Sequence, residues 1–374
     1  MAFGLLKMQV AGAEVLVSQI IDKVSDWVEP TVFCLDGVGT LGEELIGRGI
    51  PVVDLERRPG VIDWSVSKRL HRELVSRRIE LLHAHQYSPL FYAVFAKMRG
   101  ALEVKVLMTE HGRAYPDLVS PKRRWVNRLV LSRFVNHSTA CCKFSANALE
   151  KNDGFPRVEV LYNGIDVSKH HLSTSEEERR ALRVRLGLQE GIQYIACIAR
   201  FHPVKDHGTL VRAFGRVASR LERVRLLLVG TGEEEGSIRN LVRETGLSER
   251  VEFWGVRRDV GDILRACDAF SLTSVSEAAS LTLLESMANG CPVAITDVGG
   301  NSEHVTHESE GLLSPRGDDV SLAKNLELIL TDRKIASDFA KRARLKVEER
   351  FQLRDALARY EELYKQLLGR DPKN

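Results

Sequence analysis

Short runs of apolar, often β-branched residues alternate with amphipathic helical patterns along almost the whole chain. The runs that predict strands in the first half are Thr31–Cys34, Pro51–Val53, Ile79–Ala84, Val104–Thr109, Val135–Ala140 and Val158–Tyr162. In the second half they are Tyr194–Ala199, Arg225–Val229, Val251–Trp254, Ala269–Thr273, Pro292–Thr296 and Gly311–Leu313. Strands that alternate with helices build parallel sheets with helices on both faces. The pattern therefore predicts an α/β protein made of two Rossmann-like halves.

The domain boundary is predicted in a polar stretch that has no apolar periodicity. Residues 167–180 are rich in Ser and Glu and predict a linker. We expect a first domain over 1–166, a second over 181–352, and an amphipathic helix at 353–368 that packs back on the first domain. Two such halves are expected to face a central cleft, where ligands bind beyond the carboxyl ends of the strands.

Composition narrows the class of protein. The chain has 374 residues, is 44% hydrophobic and 28% charged, and carries a formal net charge of +3. These values are typical of a soluble globular protein and argue against disorder, a disulfide scaffold or a nucleic-acid partner. Six cysteines occur without a C-x-x-C pair, which is typical of reduced, buried thiols. The N-terminus has no signal-peptide pattern and no apolar run could span a bilayer, so we expect a cytoplasmic protein.

The most informative segment follows the predicted strand at Ala269–Thr273. Ser280 is a good N-cap for a helix that runs to about Asn289. The first amides of that helix, at Leu281 and Thr282, would lack intrahelical acceptors and are placed to bind an anion.

Glu285 is expected on the inward face of this helix. By helical spacing the inward stripe comprises Leu281, Leu284 and Ala288, and Glu285 lies on the same stripe. A buried carboxylate needs a partner, because burial without one is costly. Sugar hydroxyls would be suitable donors, and a backbone amide or a basic residue is the alternative.

Two cations follow the first strand of the second half. Arg200 ends that strand, and Lys205 precedes Asp206, a predicted N-cap of the next helix. Together they can neutralise an anionic group of a ligand through charge-assisted hydrogen bonds, worth about 1.5–3 kcal/mol each. The alternative is an arginine and a lysine in a solvated surface loop.

Glycines follow several predicted strands. Gly230 and Gly232 resemble half of a dinucleotide fingerprint, but Glu235 occupies the third glycine position, so NAD binding is disfavoured. We predict instead that these glycines, like Gly299 and Gly300, let the backbone approach a bound ligand.

Glu277 and Glu285 form an E-x7-E arrangement, followed by A-x-G-x-P-V and D-V-G-G. This segment resembles that of retaining glycosyltransferases of family 4, which have the two-domain GT-B fold. The similarity covers nearly the whole chain, through T-E-H-G (Thr109–Gly112), Y-N-G-I-D (Tyr162–Asp166), A-R-x4-K-D (Ala199–Asp206), L-L-L-V-G-T-G-E-E (Leu226–Glu234) and F-W-G (Phe253–Gly255).

The resemblance implies transfer of a sugar from a nucleotide diphosphate sugar to an acceptor hydroxyl, with the departing phosphate taking the acceptor proton. The implied catalytic residues are Glu277, His111, Arg200 and Lys205. The implied donor site comprises Arg200, Lys205, Gly230, Trp254, Gly255, Val256, Glu277, Ser280, Leu281, Thr282 and Glu285. The implied acceptor-side loop comprises Gly12, His111 and Gly112. For Trp254 a plain core position is the alternative.

The chain contains no D-x-D triplet, which metal-dependent glycosyltransferases usually carry. We therefore expect no cofactor and no metal, with Arg200, Lys205 and the helix amides in the place of the metal. The expected partners are a nucleotide-sugar donor and a saccharide or lipid-linked acceptor. The pathway implied by the resemblance is the assembly of bacterial surface polysaccharide or glycolipid.

A basic segment at residues 120–136 is a candidate for peripheral contact with the inner face of the membrane. It holds Lys122, Arg123, Arg124, Arg128 and Arg133 and no acid. Trp125, Leu129 and Phe134 would supply its apolar side, as in helices that lie on anionic bilayers. An ordinary helix with a solvated basic face is the alternative.

The N-terminus departs from the family pattern. Only ten residues precede Ala11–Gly12, where the family has a strand and a loop that often contains two adjacent glycines. We expect the first strand to be short or missing, with the short N-terminus either native or a truncated start. Residues 278–280 are Ala-Ala-Ser where the family often has glycine.

Two other functions remain open from the sequence. One is a nucleotide-sugar 2-epimerase, which shares the fold, and the other is an inactive copy that binds donor. His83 and His85 alternate on one predicted strand without a third ligand, so a structural role is predicted for them.

Overall fold

The computed structural model describes residues 1–112, 120–172 and 175–370. Their strands form one sheet of seven strands and one of six, and every paired neighbour runs parallel. Two compact units result, one from the described part of Met1–Asn163 with residues 354–370, and the other from the described part of Gly164–Leu353. The α/β class predicted from the alternating pattern is confirmed.

The first unit contains seven strands and eight helices within the described residues. The strands are β1 (Ala2–Leu5), β2 (Thr31–Cys34), β3 (Val52–Asp54), β4 (Leu81–His85), β5 (Lys105–Glu110), β6 (His137–Ala140) and β7 (Glu159–Val160). The helices are α1 (Gly12–Val24), α2 (Thr40–Gly47), α3 (Trp64–Ser76), α4 (Tyr87–Met98), α5 (Pro121–Val126), α6 (Ser132–Phe134), α7 (Lys143–Lys151) and, at the end of the chain, α16 (Leu353–Leu367). A π-helical turn at Asn127–Leu131 joins α5 to α6.

The second unit contains six strands and eight helices within the described residues. The strands are β8 (Gln193–Ile198), β9 (Val224–Val229), β10 (Val251–Gly255), β11 (Ala269–Leu272), β12 (Val293–Thr296) and β13 (Leu312–Ser314). The helices are α8 (Glu176–Arg185), α9 (His207–Ala218), α10 (Glu235–Glu244), α11 (Val260–Ala266), α12 (Leu281–Ala288), α13 (Asn301–His304), α14 (Asp319–Thr331) and α15 (Arg333–Arg350).

The N-terminal strand that the sequence left as short or missing is present. β1 has four buried residues and lies in the middle of its sheet, paired with β2 from Ala2 to Leu5 and with β4 from Ala2 to Gly4. All four residues of β2 and three of the five residues of β4 pair with it, so much of the backbone of both neighbouring strands finds partners on β1. On one face of this sheet, the apolar side chains pack with those of α3 and α4 in one continuous core.

The segment predicted as a linker, 167–180, becomes helical from Glu176 onward. Ser175 caps α8 by accepting a hydrogen bond from the amide of Glu178, at 3.1 Å. Arg179 and Arg183 of this helix donate to Asp268 and to carbonyl groups at the end of α11. The helix therefore docks through arginines rather than through an apolar stripe, which is why hydrophobic periodicity did not indicate it.

The strand order places a topological switch point in each sheet. The orders are β3-β2-β1-β4-β5-β6-β7 and β10-β9-β8-β11-β12-β13. In the second sheet the chain changes direction between the neighbours β8 and β11. Ligands of open parallel sheets bind beyond the carboxyl ends of the strands at such points. A ligand of the second sheet is therefore expected at the loops after β8 and β11.

A membrane-spanning helix would have to be long and apolar throughout. No helix within the described ranges meets both conditions.

Candidate functional site

The loops after β8 and β11 are tied together by backbone and side-chain hydrogen bonds. Thr273, directly after β11, donates its hydroxyl hydrogen bond to the carbonyl oxygens of Lys205 and Asp206, at 3.1 and 2.9 Å. The amide of Val275 donates to the carbonyl of Val204 at 2.8 Å. Asp206 caps α9 in a left-handed conformation, with a φ of 44°, and so turns the chain sharply after Lys205. The position of Lys205 is thus determined by the two loops jointly.

Lys205 and Glu277 form the centre of the candidate site. The Lys205 ammonium nitrogen lies 2.5 Å from Glu277 Oε2, and the Ser274 hydroxyl donates to the same oxygen at 2.9 Å. Both side chains of the ion pair are mostly buried, with 21% of Lys205 and 13% of Glu277 exposed. An ammonium group carries three N–H donors. Lys205 can therefore keep Glu277 and still bind an anionic ligand.

Two glycines lie against the backbone carbonyl of Glu277. The amide of Gly300 donates to the Glu277 carbonyl at 2.9 Å. Gly299 has a φ of +55°, and a Cβ at this position would lie 1.9 Å from the Glu277 carbonyl oxygen. In this structure the backbone that these glycines approach is that of Glu277, and their approach to a bound ligand stays a prediction.

Helix α12 begins directly after the predicted cap, Ser280, which lies three residues after Glu277. The Ser280 hydroxyl accepts from the amide of Leu283 at 3.2 Å, and the Ser280 carbonyl accepts from the amide of Leu284. The amides of Leu281 and Thr282 have no acceptor among the residues that the structure describes. A helix start with two unused amides beside a lysine is an anion-binding arrangement.

Glu285 carries an unusual carboxyl group. Burial raises its pKa to about 7. Neither alternative foreseen for it, a backbone amide or a basic residue, contacts its carboxylate within the described ranges. Such a group readily accepts hydrogen bonds from the hydroxyls of a ligand, because they replace the water that burial removed.

The predicted inward stripe of α12 is partly wrong. Leu281 is half-buried, whereas Leu283, Leu284, Met287 and Ala288 form the buried face. The buried face is centred between Leu284 and Met287. Glu285 therefore lies at its border, on the same side as Leu281.

Arg200 has an acidic partner that the sequence analysis missed. Its guanidinium donates to Glu233 Oε2 at 3.1 Å, and 64% of the Arg200 side chain is exposed. The His202 ring lies 3.6 Å from the other oxygen of Glu233. The structure therefore brings Lys205 to Glu277 and Arg200 to Glu233. The acidic run after Gly232 was the signal that could have indicated this pairing.

The glycines after β9 let two loops lie against each other. A Cβ at Gly230 would lie 2.2 Å from the carbonyl oxygen of Ala199, and one at Gly232 would lie 2.2 Å from that of Phe201. The predicted close approach is thus made to the backbone on either side of Arg200. Contact of Gly230 with a donor stays a prediction.

Trp254 and Gly255 end the neighbouring strand β10, and Val256 follows it. The indole of Trp254 is half-buried and donates to Glu252 Oε2 at 3.0 Å, while Arg257 lies 5.0 Å above its ring. The carbonyl of Gly255 accepts from the amide of Gly230 at 2.7 Å, and Val256 is exposed. A plain core position, the alternative for Trp254, does not describe this environment.

His111 lies in the first unit, directly after β5. Its Nε2 is 2.8 Å from Nδ1 of His85, and burial lowers its pKa to about 4, so it is neutral at physiological pH. Its Nδ1 has no hydrogen-bond partner in the described part of the chain. Gly112 donates its amide to Glu110 Oε1 at 3.2 Å. Gly12 is the exposed first residue of α1.

His83 has the structural role predicted for it. Its ring nitrogens lie 2.7 Å from the Tyr364 hydroxyl of α16 and 2.7 Å from the Thr109 hydroxyl of β5. Outside 113–119, 173–174 and 371–374, no group of three or more His, Cys, Asp or Glu residues is arranged to hold a metal ion.

The side chains of the basic segment 120–136 do not all face solvent in the same way. Arg123 turns inward, with its guanidinium 3.5 Å above the Tyr87 ring and 3.3 Å from Asp153. Leu129 and Phe134 are half-buried, but Trp125 is 67% exposed, so the prediction of one shared apolar side is wrong for Trp125. The π-helical turn after Val126 shifts the helical register and separates Trp125 from the other two.

Two family models match the chain, one after the other. The model described as Glycosyltransferase Family 4 matches residues 10–169, and the model described as Glycosyl transferases group 1 matches residues 178–346. The chain belongs to glycosyltransferase family 4. Its two parallel-sheet units are those of the GT-B fold.

Relatives of this family 4 glycosyltransferase come from several bacteria. This chain is 28% identical over 318 residues to N-acetyl-alpha-D-glucosaminyl L-malate synthase of Bacillus anthracis, and the match covers 83% of this chain and 81% of the relative. It is 29% identical over 265 residues to a GDP-mannose-dependent phosphatidylinositol monomannoside mannosyltransferase of Corynebacterium glutamicum, covering 68% of each. The solved structure of Anabaena HepE with UDP and glucose matches with a TM-score of 0.84 at 22% identity, covering 97% of this chain and 98% of that one.

Proposed function

We propose that this glycosyltransferase moves a sugar from a nucleotide diphosphate sugar to a hydroxyl group, with retention of the anomeric configuration and without an essential metal ion. The observation that carries the proposal is the Lys205–Glu277 pair at the switch point of the second sheet, with Glu277 four residues before the start of α12. The donor combines an anionic diphosphate with a neutral, hydroxyl-rich sugar. The cation and the two unused helix amides can bind the diphosphate, and the carboxylate can accept hydrogen bonds from the sugar.

The donor side is supported by the relatives. Anabaena HepE was solved with UDP and with UDP-glucose, and the Corynebacterium glutamicum relative is described as GDP-mannose-dependent. The nucleotide sugars named for these two proteins differ in both the nucleotide base and the sugar. We therefore propose a nucleotide diphosphate sugar as the donor class and leave the base and the sugar open.

Each residue has a distinct role in the proposed donor complex. Lys205 and the amides of Leu281 and Thr282 bind the diphosphate and stabilise the charge that develops on it as the glycosidic bond breaks. Arg200 joins them by exchanging Glu233 for phosphate, at little cost because exposed ion pairs contribute only about 0–1 kcal/mol. These groups would take the place of a divalent cation.

The carboxylates bind the neutral parts of the donor. Glu277 accepts hydrogen bonds from the transferred sugar, and Glu285 accepts them from hydroxyls of the donor. Trp254, Gly255 and Val256 lie at the carboxyl end of β10, where we propose that the nucleotide base binds, while Gly230 and Ser280 shape the backbone around the diphosphate. The departing phosphate oxygen is proposed to take the acceptor proton, so that neither Glu277 nor His111 has to act as a nucleophile.

The acceptor side is proposed for the first unit. Gly12, His111 and Gly112 follow the carboxyl ends of β1 and β5, which is the edge where parallel sheets bind ligands. His111, neutral and with Nδ1 available, would donate or accept one hydrogen bond to a sugar hydroxyl. The proposed acceptor is a saccharide or a lipid-linked saccharide in the synthesis of bacterial surface polysaccharide or glycolipid.

Peripheral contact with an anionic membrane through 120–136 is part of this proposal. Lys122, Arg124, Trp125, Arg128 and Arg133 are all exposed on this segment. Cations and an exposed tryptophan are typical of protein segments that lie at the headgroup level of a bilayer. Such contact would bring the enzyme to a lipid-linked acceptor.

The alternative function, an inactive copy that binds donor, rested on the loss of the first strand. β1 is present in the middle of its sheet, so that reason no longer holds.

The test is a thermal-shift screen of the EDTA-washed protein with UDP, GDP, ADP and CMP, repeated on Arg200→Ala and Glu285→Ala. We expect one nucleotide to stabilise the wild type and the shift to shrink in both variants. With the matching nucleotide sugar and a bacterial lipid extract, the product should show the anomeric coupling of the donor by NMR. No response to any nucleotide, a response that needs manganese, or an epimerised free nucleotide sugar would overturn the proposal.

A further inference from the structure

A loop in the first unit presents two aliphatic side chains to solvent at its tip. Val61 and Ile62 are 59% and 58% exposed, directly after Gly60, whose surroundings are open. The base of the loop is held firmly, because Arg58 donates to the buried carboxylate of Asp63 through its backbone and its guanidinium. The Asp63 amide donates in turn to the Tyr92 hydroxyl at 3.1 Å. These contacts tie the base of the loop to α4, which carries Tyr92.

An aromatic stripe on α4 continues this apolar surface. Trp64, nearly half exposed, packs against Phe91 and Phe95, with ring centroids 5.8 and 4.9 Å apart. Met98, exposed, follows on the same helical stripe. We call Val61, Ile62, Trp64, Phe95 and Met98 the apolar ledge.

The other end of α4 connects the apolar ledge to the basic segment. Tyr87 lies one turn before Phe91, donates its hydroxyl to Asn127 at 2.7 Å, and carries the guanidinium of Arg123 on its ring. The loop 57–62, helix α4 and segment 120–136 therefore form one continuous side of the unit. Three arginines of these stretches, Arg57, Arg58 and Arg123, are paired with carboxylates, and Lys97 is buried. The exposed cations that remain belong to segment 120–136: Lys122, Arg124, Arg128 and Arg133.

We propose that the apolar ledge inserts into an anionic lipid bilayer while the adjoining cations of segment 120–136 bind its headgroups. Exposed aliphatic and aromatic side chains beside the exposed cations of segment 120–136 match the two parts of such a membrane, an apolar interior and an anionic surface. This inference rests on the membrane contact in the proposed function and adds the element that enters the hydrocarbon. Segment 120–136 alone offers Trp125, at 67% exposure, as its exposed large apolar side chain.

The experiment is co-sedimentation of the full chain with vesicles of phosphatidylcholine, with and without phosphatidylglycerol. Ile62→Asp tests the ledge, and Val184→Asp, at an exposed aliphatic position in the second unit, is the control. Lys122→Gln/Arg128→Gln tests the cations. We expect Ile62→Asp to lower partitioning into anionic vesicles at least about tenfold and Val184→Asp to leave it unchanged. The double variant should lower it about thirtyfold, from the usual contribution of each cation near an anionic surface.

The outcomes separate this inference from the proposals on which it rests. If the double variant loses binding while Ile62→Asp binds like the wild type, the ledge is not inserted, although the basic contact stands. If the wild type ignores anionic vesicles, both membrane proposals fail, and the nucleotide shift still reports donor binding independently. If Ile62→Asp instead converts a dimer to a monomer in sedimentation velocity without lipid, the ledge binds a second copy and the inference is overturned. Equal unfolding temperatures of Ile62→Asp and wild type show that the variant is folded.

Discussion

The ammonium nitrogen of Lys205 lies 2.5 Å from Glu277 Oε2, and this contact joins the loops that follow two neighbouring strands of one parallel sheet. The pair places a cation for a diphosphate directly beside a carboxylate for a sugar. In the proposed complex the bond between the diphosphate and the sugar would lie between the two groups. Each group should therefore affect a different kinetic quantity.

Glu277→Gln should separate catalysis from nucleotide binding. The substitution keeps the shape of the side chain, weakens hydrogen bonds to the transferred sugar and leaves Lys205 without its ionic partner. We expect kcat to fall roughly ten- to a hundredfold, while the affinity for the nucleotide diphosphate stays equal or rises. Steady-state kinetics and titration calorimetry measure the two quantities. Glu244→Gln, at an exposed position on α10, is the control. Full activity of Glu277→Gln would remove this residue from the mechanism.

Glu285 should make the stability of the unliganded protein depend on pH. Burial raises its folded-state pKa from 4.5 to about 7, so the ionised carboxylate destabilises the fold. This cost is absent below about pH 4.5, grows as the pH rises and is complete above about pH 7, where it reaches roughly 3 kcal/mol.

Glu285→Gln removes that titration. We expect the variant to exceed the wild type in free energy of unfolding at pH 8 and the difference to close as the pH falls toward 5. Denaturant unfolding across this range measures it, with the exposed Glu249→Gln as a control that should show no such trend. A difference independent of pH would mean that Glu285 is not buried in its ionised form.

Gly299 should be needed to hold Glu277 in place. It combines a φ of +55° with a Cβ position 1.9 Å from the Glu277 carbonyl oxygen, whereas Gly317 has a φ of +73° and open surroundings. Both alanine variants suffer the backbone strain of about 1–2 kcal/mol, but only Gly299→Ala adds a steric clash. We expect Gly299→Ala to lose at least about 2 kcal/mol more stability than Gly317→Ala, and to lose activity that Gly317→Ala keeps. Chemical denaturation and an activity assay check both points. Equal losses would show that the Glu277 backbone moves freely.

Hydrophobic patterning predicted the strands well because a strand buried in a parallel sheet has to be apolar along its whole length. Thr31–Cys34 and the start of α12 after Ser280 are found where they were predicted. Helix α8 was missed because arginines, rather than an apolar stripe, hold it against Asp268. β1 was doubted because it lies so close to the start of the sequence, although Ala2–Leu5 is apolar enough for a central strand.

The candidate site was predicted in its residues but only partly in its contacts. Motif spacing places Lys205, Glu277 and Ser280 after the correct strands, since parallel strands share one carboxyl edge. Spacing cannot tell which acid a cation selects, and Arg200 pairs with Glu233 because the glycines after β9 bring that loop close. Spacing likewise predicted that these glycines make a close approach, but it could not show that the groups they approach are backbone carbonyls.

The central claim is that Lys205 and the amides of α12 bind a diphosphate without a metal ion. Titration calorimetry in EDTA tests it most directly, comparing the nucleoside diphosphate selected in the thermal-shift screen with its monophosphate and nucleoside, on wild type and Lys205→Met. We predict that the wild type loses at least about tenfold in affinity with each phosphate removed, and that Lys205→Met discriminates among the three ligands far less. Equal discrimination by Lys205→Met and wild type, or binding that appears only when a divalent cation is added, would contradict the account.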